Sequence, residues 1–88
     1  MPAHSKEIDS VVLVANFIAN EVPSGTIDSS NKVFILAHTP VIGTVQVYLN
    51  GMVQYTGLLF DYTISIKTIT FNKAPRTNSE IVVHYIRI

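Results

Sequence analysis

Apolar and polar residues alternate through the middle of the chain, and the alternation is interrupted by an Asn-Gly pair. One run covers 44–49, the next covers 52–55, and Asn50 and Gly51 lie between them. A period of two is that of a β-strand with one buried face. Asn-Gly favours a type I′ turn, because both central residues of that turn need a positive φ and these two tolerate it best. The pattern therefore predicts a β-hairpin at the centre of the chain.

The same pattern predicts further short strands on either side of this hairpin. They cover 26–27, 32–37, 62–65, 68–71 and 81–88. Turn signals that recur about every 8–12 residues are typical of sandwiches and barrels. We therefore expect an all-β fold, a single small antiparallel β-sandwich of about seven or eight short strands. The predicted inward-facing side chains are Phe34, Leu36, Val45, Val47, Leu49, Tyr62, Ile64, Ile69, Phe71, Ile81, Val83 and Tyr85.

The turn after residue 65 is chemically different from the Asn-Gly turn. Ile66 and Lys67 stand where a two-residue hairpin would need a positive φ, and a β-branched residue adopts that conformation poorly. The sequence leaves a two-residue turn and a longer loop open at this point.

Residues 1–22 are predicted as an N-terminal arm that precedes a sandwich domain of residues 23–88. A helix would place Ile8, Val11, Val12, Ala15, Ile18 and Ala19 on one face, whereas a strand suits the β-branched run 11–14 better. Both readings remain open, and the extended one is favoured. Each leaves apolar side chains on two faces, so we expect a partner to cover the arm.

The apolar run of the arm does not have the features of a membrane or export segment. Val11–Ala19 is too short to cross a bilayer as a helix. Glu7 and Asp9 precede it, whereas a signal peptide has a basic leader. We expect no membrane association.

Composition limits the partners that the chain can have. Its 88 residues make one domain, with 48% hydrophobic and only 14% charged residues and a formal net charge of zero. The six basic residues are scattered, which gives no electrostatic footprint for nucleic acid. A neutral, sparsely charged surface favours a protein partner.

The polar residues give no pattern that points to catalysis. His4, His38 and His84 lack the short spacings of metal ligands, and the chain has no cysteine. Asp28 and Asp61 are expected in a turn and at a strand start, where aspartate commonly bonds backbone. We therefore expect no enzyme activity, metal or cofactor. Tyr48 and Tyr55 are kept as possible ligand-binding residues, because aromatic rings exposed on a sheet can stack on sugars or bases.

A longer pattern covers about three quarters of the chain. Its most specific strings are Val45-Gln46-Val47-Tyr48-Leu49-Asn50-Gly51 and Asp61-Tyr62-Thr63; residues 21–28 precede them, and Ile69-Thr70-Phe71, Ala74-Pro75 and 81–85 follow. In this order the strings resemble a small β-sandwich module that recurs in virion proteins of tailed bacteriophages. That family commonly has Gly where Ser29 stands and a Gly-Asn pair at 66–67. Its connection at 58–60 is commonly about two residues shorter.

The resemblance implies a structural role in a virion, assembled in the host cytoplasm. The first expectation is a capsid decoration or cement protein that contacts other virion proteins, above all the major capsid protein, and self-associates, with a trimer as the first guess. The alternatives are an accessory neck, tail or fibre protein and a receptor- or glycan-recognition module. Head and tail locations are not distinguished. The candidate partner-binding residues are Ile8, Val11, Val12, Leu13, Val14, Phe17 and Ile18 in the arm, with Leu58, Leu59 and Ile66 in two loops.

Overall fold

The computed structural model describes residues 16–88, and this range contains seven β-strands and no helix. The all-β prediction is therefore confirmed. In this part of the chain no helix is long and apolar enough to cross a membrane. The strands are β1 (Phe17–Glu21), β2 (Val33–Ile35), β3 (Gln46–Leu49), β4 (Met52–Gln54), β5 (Tyr62–Ser65), β6 (Thr68–Phe71) and β7 (Ile81–Ile86).

The strands form two antiparallel sheets. The four-stranded sheet has the order β1-β7-β3-β4, and the three-stranded sheet has the order β2-β6-β5. Consecutive strands form hairpins at β3-β4 and β5-β6, whereas β7 returns between β1 and β3. The closing strand is thus the central support of the larger sheet.

The core lies between the two sheets and contains the predicted side chains. Val83 on β7 and Ile69 on β6 are fully buried, one from each sheet. All twelve predicted inward-facing residues belong to this cluster or pack on it: nine are buried, and Val45, Leu49 and Ile64 are partly buried. Burying an aliphatic or aromatic side chain stabilises a fold by roughly 1.5–3 kcal/mol, so this cluster is the main source of stability.

The Asn-Gly turn has the predicted conformation. Asn50 and Gly51 have φ values of 51° and 81°, and Leu49 pairs with Met52 across them. The Asn50 side-chain oxygen also accepts a hydrogen bond from the Glu80 N–H at 2.8 Å. The turn therefore closes the hairpin and also fixes the start of β7.

One predicted strand, at 26–27, is not formed. The Asn31 side chain donates to the carbonyls of Thr26 and Val33, and its oxygen accepts from the Val33 N–H. The bond to Thr26 occupies a backbone carbonyl that a strand partner would otherwise bind. Ile27 still packs on the core from a loop.

The last residues of the predicted arm form β1 and pair with β7 in the larger sheet. Ile18 packs on the core, while the register shifts between Ile18 and Glu21. In that shift Asn20 has φ 58°, and its N–H donates to His84 Nδ1 at 3.0 Å. Residues 17–21 are thus extended, as the strand reading expected. The arm residues Ile8, Val11, Val12, Leu13 and Val14 lie outside the described residues.

A polar contact inside the sandwich ties β1 to β7. The buried Tyr85 hydroxyl donates to Glu21 Oε1 and accepts from the His38 N–H, and Glu21 Oε2 accepts from the Ala37 N–H at 2.7 Å. Burial, and then the hydrogen bond to Glu21, raise the pKa of Tyr85 to about 12. The contact holds the segment after β2 against the larger sheet.

Candidate partner-binding site

An apolar groove opens at one end of the sandwich, with a volume of about 490 Å³. We call it the end groove. Three isoleucines around it are largely exposed, Ile42 by 98%, Ile88 by 76% and Ile66 by 74%. The lining residues include 39–43, Val45, Tyr62, Ile64, Ile66 and Ile88. Exposed apolar residues in a cluster of this kind are typical of a contact surface.

Hydrogen bonds fix the loop that forms one wall of the end groove. The Val41 N–H donates to the Ile86 carbonyl at 2.7 Å, and the Ile88 N–H donates to the Thr39 carbonyl at 2.8 Å. The Thr44 hydroxyl donates to the Val41 carbonyl at 2.7 Å. Because these backbone groups are bonded within the protein, the loop presents apolar side chains on a fixed backbone.

The opposite wall contains a strained residue. Ile66 has φ 55° in a two-residue turn flanked by the Ser65–Thr68 pair. The longer loop that the sequence left open is therefore not formed. A β-branched residue at positive φ is a true outlier and costs of order 1–3 kcal/mol. Since Ile66 is largely exposed, packing within the described residues contributes little to offset this strain.

The backbone edge of β5 borders the same groove. The Tyr62 N–H donates to Tyr55 and the Tyr62 carbonyl accepts from Gly57, so both groups point away from β6. In an antiparallel strand every second residue points the same way. Ile64 therefore directs its N–H and carbonyl to this outer edge, where Thr56 bridges to Tyr62 and none of the seven strands in residues 16–88 pairs with β5.

A second apolar segment, the 57–60 loop, precedes β5 and directly follows Thr56, which also lines the end groove. Leu58 and Phe60 are exposed, and Leu59 is exposed by 94%. Asn72 donates to the carbonyls of Leu58 and Phe60, which holds the loop against the end of β6. Leu58 and Leu59 precede β5, and Ile66 follows it.

The outer face of the larger sheet carries an aromatic patch. The Phe17 ring stacks on the His84 ring with centroids 6.3 Å apart, and the Tyr48 ring meets His84 edge-on at 5.4 Å. Tyr48 is half-buried by this contact, whereas Tyr55 lies just past β4 with 65% of its surface exposed. Of the two predicted tyrosines, Tyr55 is the more accessible to a ligand.

A shallow polar cleft of about 720 Å³ lies between two loops. The Ser29 and Thr77 hydroxyls hydrogen-bond across it at 3.0 Å, and the Ser29 N–H donates to the Pro75 carbonyl. Beside it, the N–H groups of Asn31 and Ser30 bond the Asp28 carboxylate and lower its pKa. These contacts anchor loops. No cluster of three His, Asp or Glu that could hold a metal occurs in residues 16–88.

Val41, Ile42 and Ile88 are contact candidates that the sequence reasoning missed. Val41 and Ile42 lie between Pro40 and Gly43, so an apolar pair at the tip of a turn was the available signal. The groove itself joins residues far apart in sequence, which no local pattern shows.

Comparison of the chain with protein-family models, with curated proteins and with solved structures found no match. The class of protein is defined by the fold itself: a small antiparallel β-sandwich with an apolar groove along β5 and an exposed apolar loop before that strand.

Proposed function

We propose that this protein is a non-enzymatic structural component of a bacteriophage particle, with a capsid decoration or cement role. It attaches to other virion proteins, of which the major capsid protein is the first expected, and associates with copies of itself. The proposal begins from the resemblance of residues 21–86 to the virion module and from the sandwich fold that the resemblance implies.

The observation that carries the proposal is the backbone at two positions where the family commonly has glycine. Ser29 has φ 70° and Ile66 has φ 55°. Glycine adopts this region readily, and other residues adopt it rarely. The chain therefore keeps the backbone of a glycine at both positions, although its side chains differ from the family.

The exposed apolar residues support a role in assembly. Ile42 in the end groove and Leu59 in the 57–60 loop are almost fully exposed, in a chain with few charges. Exposed apolar residues do not stabilise a monomer, whereas a subunit that buries them against a neighbour gains binding free energy.

The mechanism is passive. The core and the Tyr85–Glu21 contact hold the sandwich in one shape, and the apolar arm lies on a neighbouring subunit. An arm that adds to an open sheet edge gains backbone hydrogen bonds without special side chains. Many copies on a symmetric particle multiply weak contacts into firm attachment.

The test is the occupancy of the protein on purified particles. Deletion of residues 1–15 removes the part of the arm that precedes β1 and leaves β1 in place. We expect this variant to be lost from particles, while Lys73→Ala in the polar cleft keeps normal occupancy. Absence of the unaltered protein from particles, or full occupancy without residues 1–15, would contradict the proposal.

Exposure of Tyr55 supports a second candidate, a recognition module displayed on the particle that binds a glycan or receptor. A glycan array with the intact protein and with Tyr55→Ala and Tyr48→Ala separates the two roles. Specific binding that Tyr55→Ala abolishes would favour recognition, and a blank array favours the structural role.

A further inference from the structure

We propose that the polar cleft between the 28–32 and 72–77 loops binds a compact phosphate anion that carries more than one negative charge. The inference goes beyond the proposed function and does not depend on it. The surfaces assigned to assembly are apolar, whereas this cleft is lined by charged and hydroxyl side chains.

The fold gathers basic side chains that the sequence scatters. The chain has six basic residues, of which Lys6 lies outside the described range, and three of the other five line this one cleft: Lys32, Lys73 and Arg76. Strand β2 pairs with β6, and the Phe71 N–H at the end of β6 donates to the Lys32 carbonyl at 2.9 Å. The loop before β2 and the loop after β6 therefore lie side by side.

No acidic side chain within residues 16–88 lines the cleft beside these three cations. Asp28 is in one of the two loops, but its Oδ1 atom accepts from the N–H groups of Ser30 and Asn31 at 2.9 and 2.8 Å. Like charges that are brought together repel, so the cluster does not stabilise the folded chain. An anion bound between the cations would remove this repulsion.

Hydrogen bonds between the two loops fix the cleft before a ligand binds. The Thr77 N–H donates to Ser29 Oγ at 2.9 Å, and the Ser29 N–H donates to the Pro75 carbonyl at 3.1 Å. The Ser29 and Thr77 hydroxyls also bond each other at 3.0 Å, and only one of them donates in that bond. The other keeps a proton for a ligand. Ser29 holds this position at φ 70°, and backbone strain of this kind is concentrated at ligand sites.

The donors around the cleft suit phosphate oxygens. The Arg76 guanidinium can present two parallel N–H groups to one phosphate, and each lysine ammonium acts as a point charge. The hydroxyls of the cleft add neutral donors. Three positive charges match an anion with several negative charges, of which pyrophosphate is the simplest example.

The surroundings of the cleft favour a compact anion over nucleic acid. The two remaining basic residues of the described range lie elsewhere, Lys67 in the turn before β6 and Arg87 after β7. A nucleic-acid backbone is bound by cations that follow its path, and no such row leads out of the cleft. Within residues 16–88, no aromatic ring on which a base could stack lines it either.

Isothermal titration of the intact chain with pyrophosphate tests the inference. We expect saturable binding with a Kd of about 1 mM or tighter. Lys73→Gln and Arg76→Gln should each weaken it about tenfold, because each removes a charge-assisted contact. The matched control Lys67→Gln removes the same charge from the turn at the other end of β6 and should change the affinity less than about twofold. All three side chains are exposed, and thermal unfolding checks that each variant is folded.

Two further probes identify the kind of phosphate. Glycerol phosphate and a short single-stranded DNA oligonucleotide are titrated under the same conditions, and we expect both to bind more weakly than pyrophosphate. Absence of saturable pyrophosphate binding, or equal weakening by Lys67→Gln and Lys73→Gln, would overturn the inference. Tighter binding of the DNA would overturn it as well and would assign the cleft to nucleic acid. Occupancy on particles is a separate measurement, so the virion role stands or fails independently.

Discussion

The two hairpin turns of this protein have the same length and opposite chemistry. Asn50 and Gly51 join β3 to β4, and Ile66 and Lys67 join β5 to β6. In the first turn both residues have positive φ and belong to the types that tolerate it. In the second turn, the residue at positive φ is a β-branched isoleucine with an exposed side chain.

The two turns differ in what they contribute: one contributes to folding, and the other forms part of an apolar surface. The Asn50 side chain is bonded to the start of β7, so the first turn contributes to folding. The Ile66 side chain lines the end groove, so the second turn gives up stability where it forms an apolar surface. Strain that the rest of a structure holds in place indicates a position with a task other than folding.

The largest expected effect comes from giving the first turn the chemistry of the second. Gly51→Ile places a β-branched residue at φ 81° and should lower the free energy of unfolding by about 2 kcal/mol. Urea unfolding measures the change. The control Met52→Ile adds the same side chain at the next residue, in a strand conformation, and should stay within about 0.5 kcal/mol of the natural chain. Equal effects from both would contradict the argument.

A somewhat smaller loss of unfolding free energy is expected when the hydrogen bonds of the Tyr85 hydroxyl inside the sandwich are removed. Tyr85→Phe takes the hydroxyl from Glu21 and His38 and should cost about 1–2 kcal/mol of unfolding free energy. Burial and the Glu21 bond raise the pKa of Tyr85 to about 12, above an unfolded value of 10.0. Its stabilisation is therefore complete below about pH 10 and lost as the pH rises towards 12. Urea unfolding of both chains from pH 8 to 12 should show a larger alkaline loss in the natural chain than in Tyr85→Phe, which keeps Tyr62, another tyrosine whose pKa burial raises. Equal alkaline losses in the two chains would contradict the assignment.

Relief of the second turn should stabilise the fold. Ile66→Gly removes the strain at φ 55° and, after the entropy cost of glycine, should raise the free energy of unfolding by about 1 kcal/mol. It should also weaken self-association, because the groove loses an apolar wall. Lys67→Gly in the same turn relieves nothing and should destabilise slightly. A loss of stability in Ile66→Gly would show that the turn is not strained.

The smallest expected effect is at an anchor loop remote from both turns. The Asn31 and Ser30 N–H groups hold the pKa of Asp28 below its usual 3.8. The stability from this carboxylate is present above about pH 4 and lost as the pH falls through the lowered value. Acid unfolding of Asp28→Asn should therefore show a slightly flatter loss below pH 4 than that of the natural chain. A steeper acid limb would contradict the sign.

The fold was predictable where local pattern and packing agree. Period two along 81–85 gave Ile81, Val83 and Tyr85 as core residues, and all three are buried. The Asn50-Gly51 pair correctly predicted the turn between β3 and β4. Hydrogen bonds from side chains to the backbone could not be predicted from the alternation of apolar and polar residues. The Asn31 side chain bonds the Thr26 carbonyl where a strand was expected at 26–27. The His84 side chain bonds the Asn20 N–H where the register of β1 shifts.

The candidate site was less predictable because it joins residues distant in sequence. Exposed apolar character was read correctly at Leu58, Leu59 and Ile66, but the direction of β5 places the first two at the opposite end from the third. The wall at 39–43 forms only through hydrogen bonds to the end of β7. Such contacts follow from the register of the whole sheet.

The central claim is that this sandwich is a subunit whose apolar surfaces are covered by neighbours. The solution molar mass of the intact chain, measured by sedimentation equilibrium over a range of concentrations, tests it most directly. The account predicts an oligomer, with a trimer of three 9.7 kDa chains expected first. A well-behaved monomer of 9.7 kDa at every concentration would contradict it.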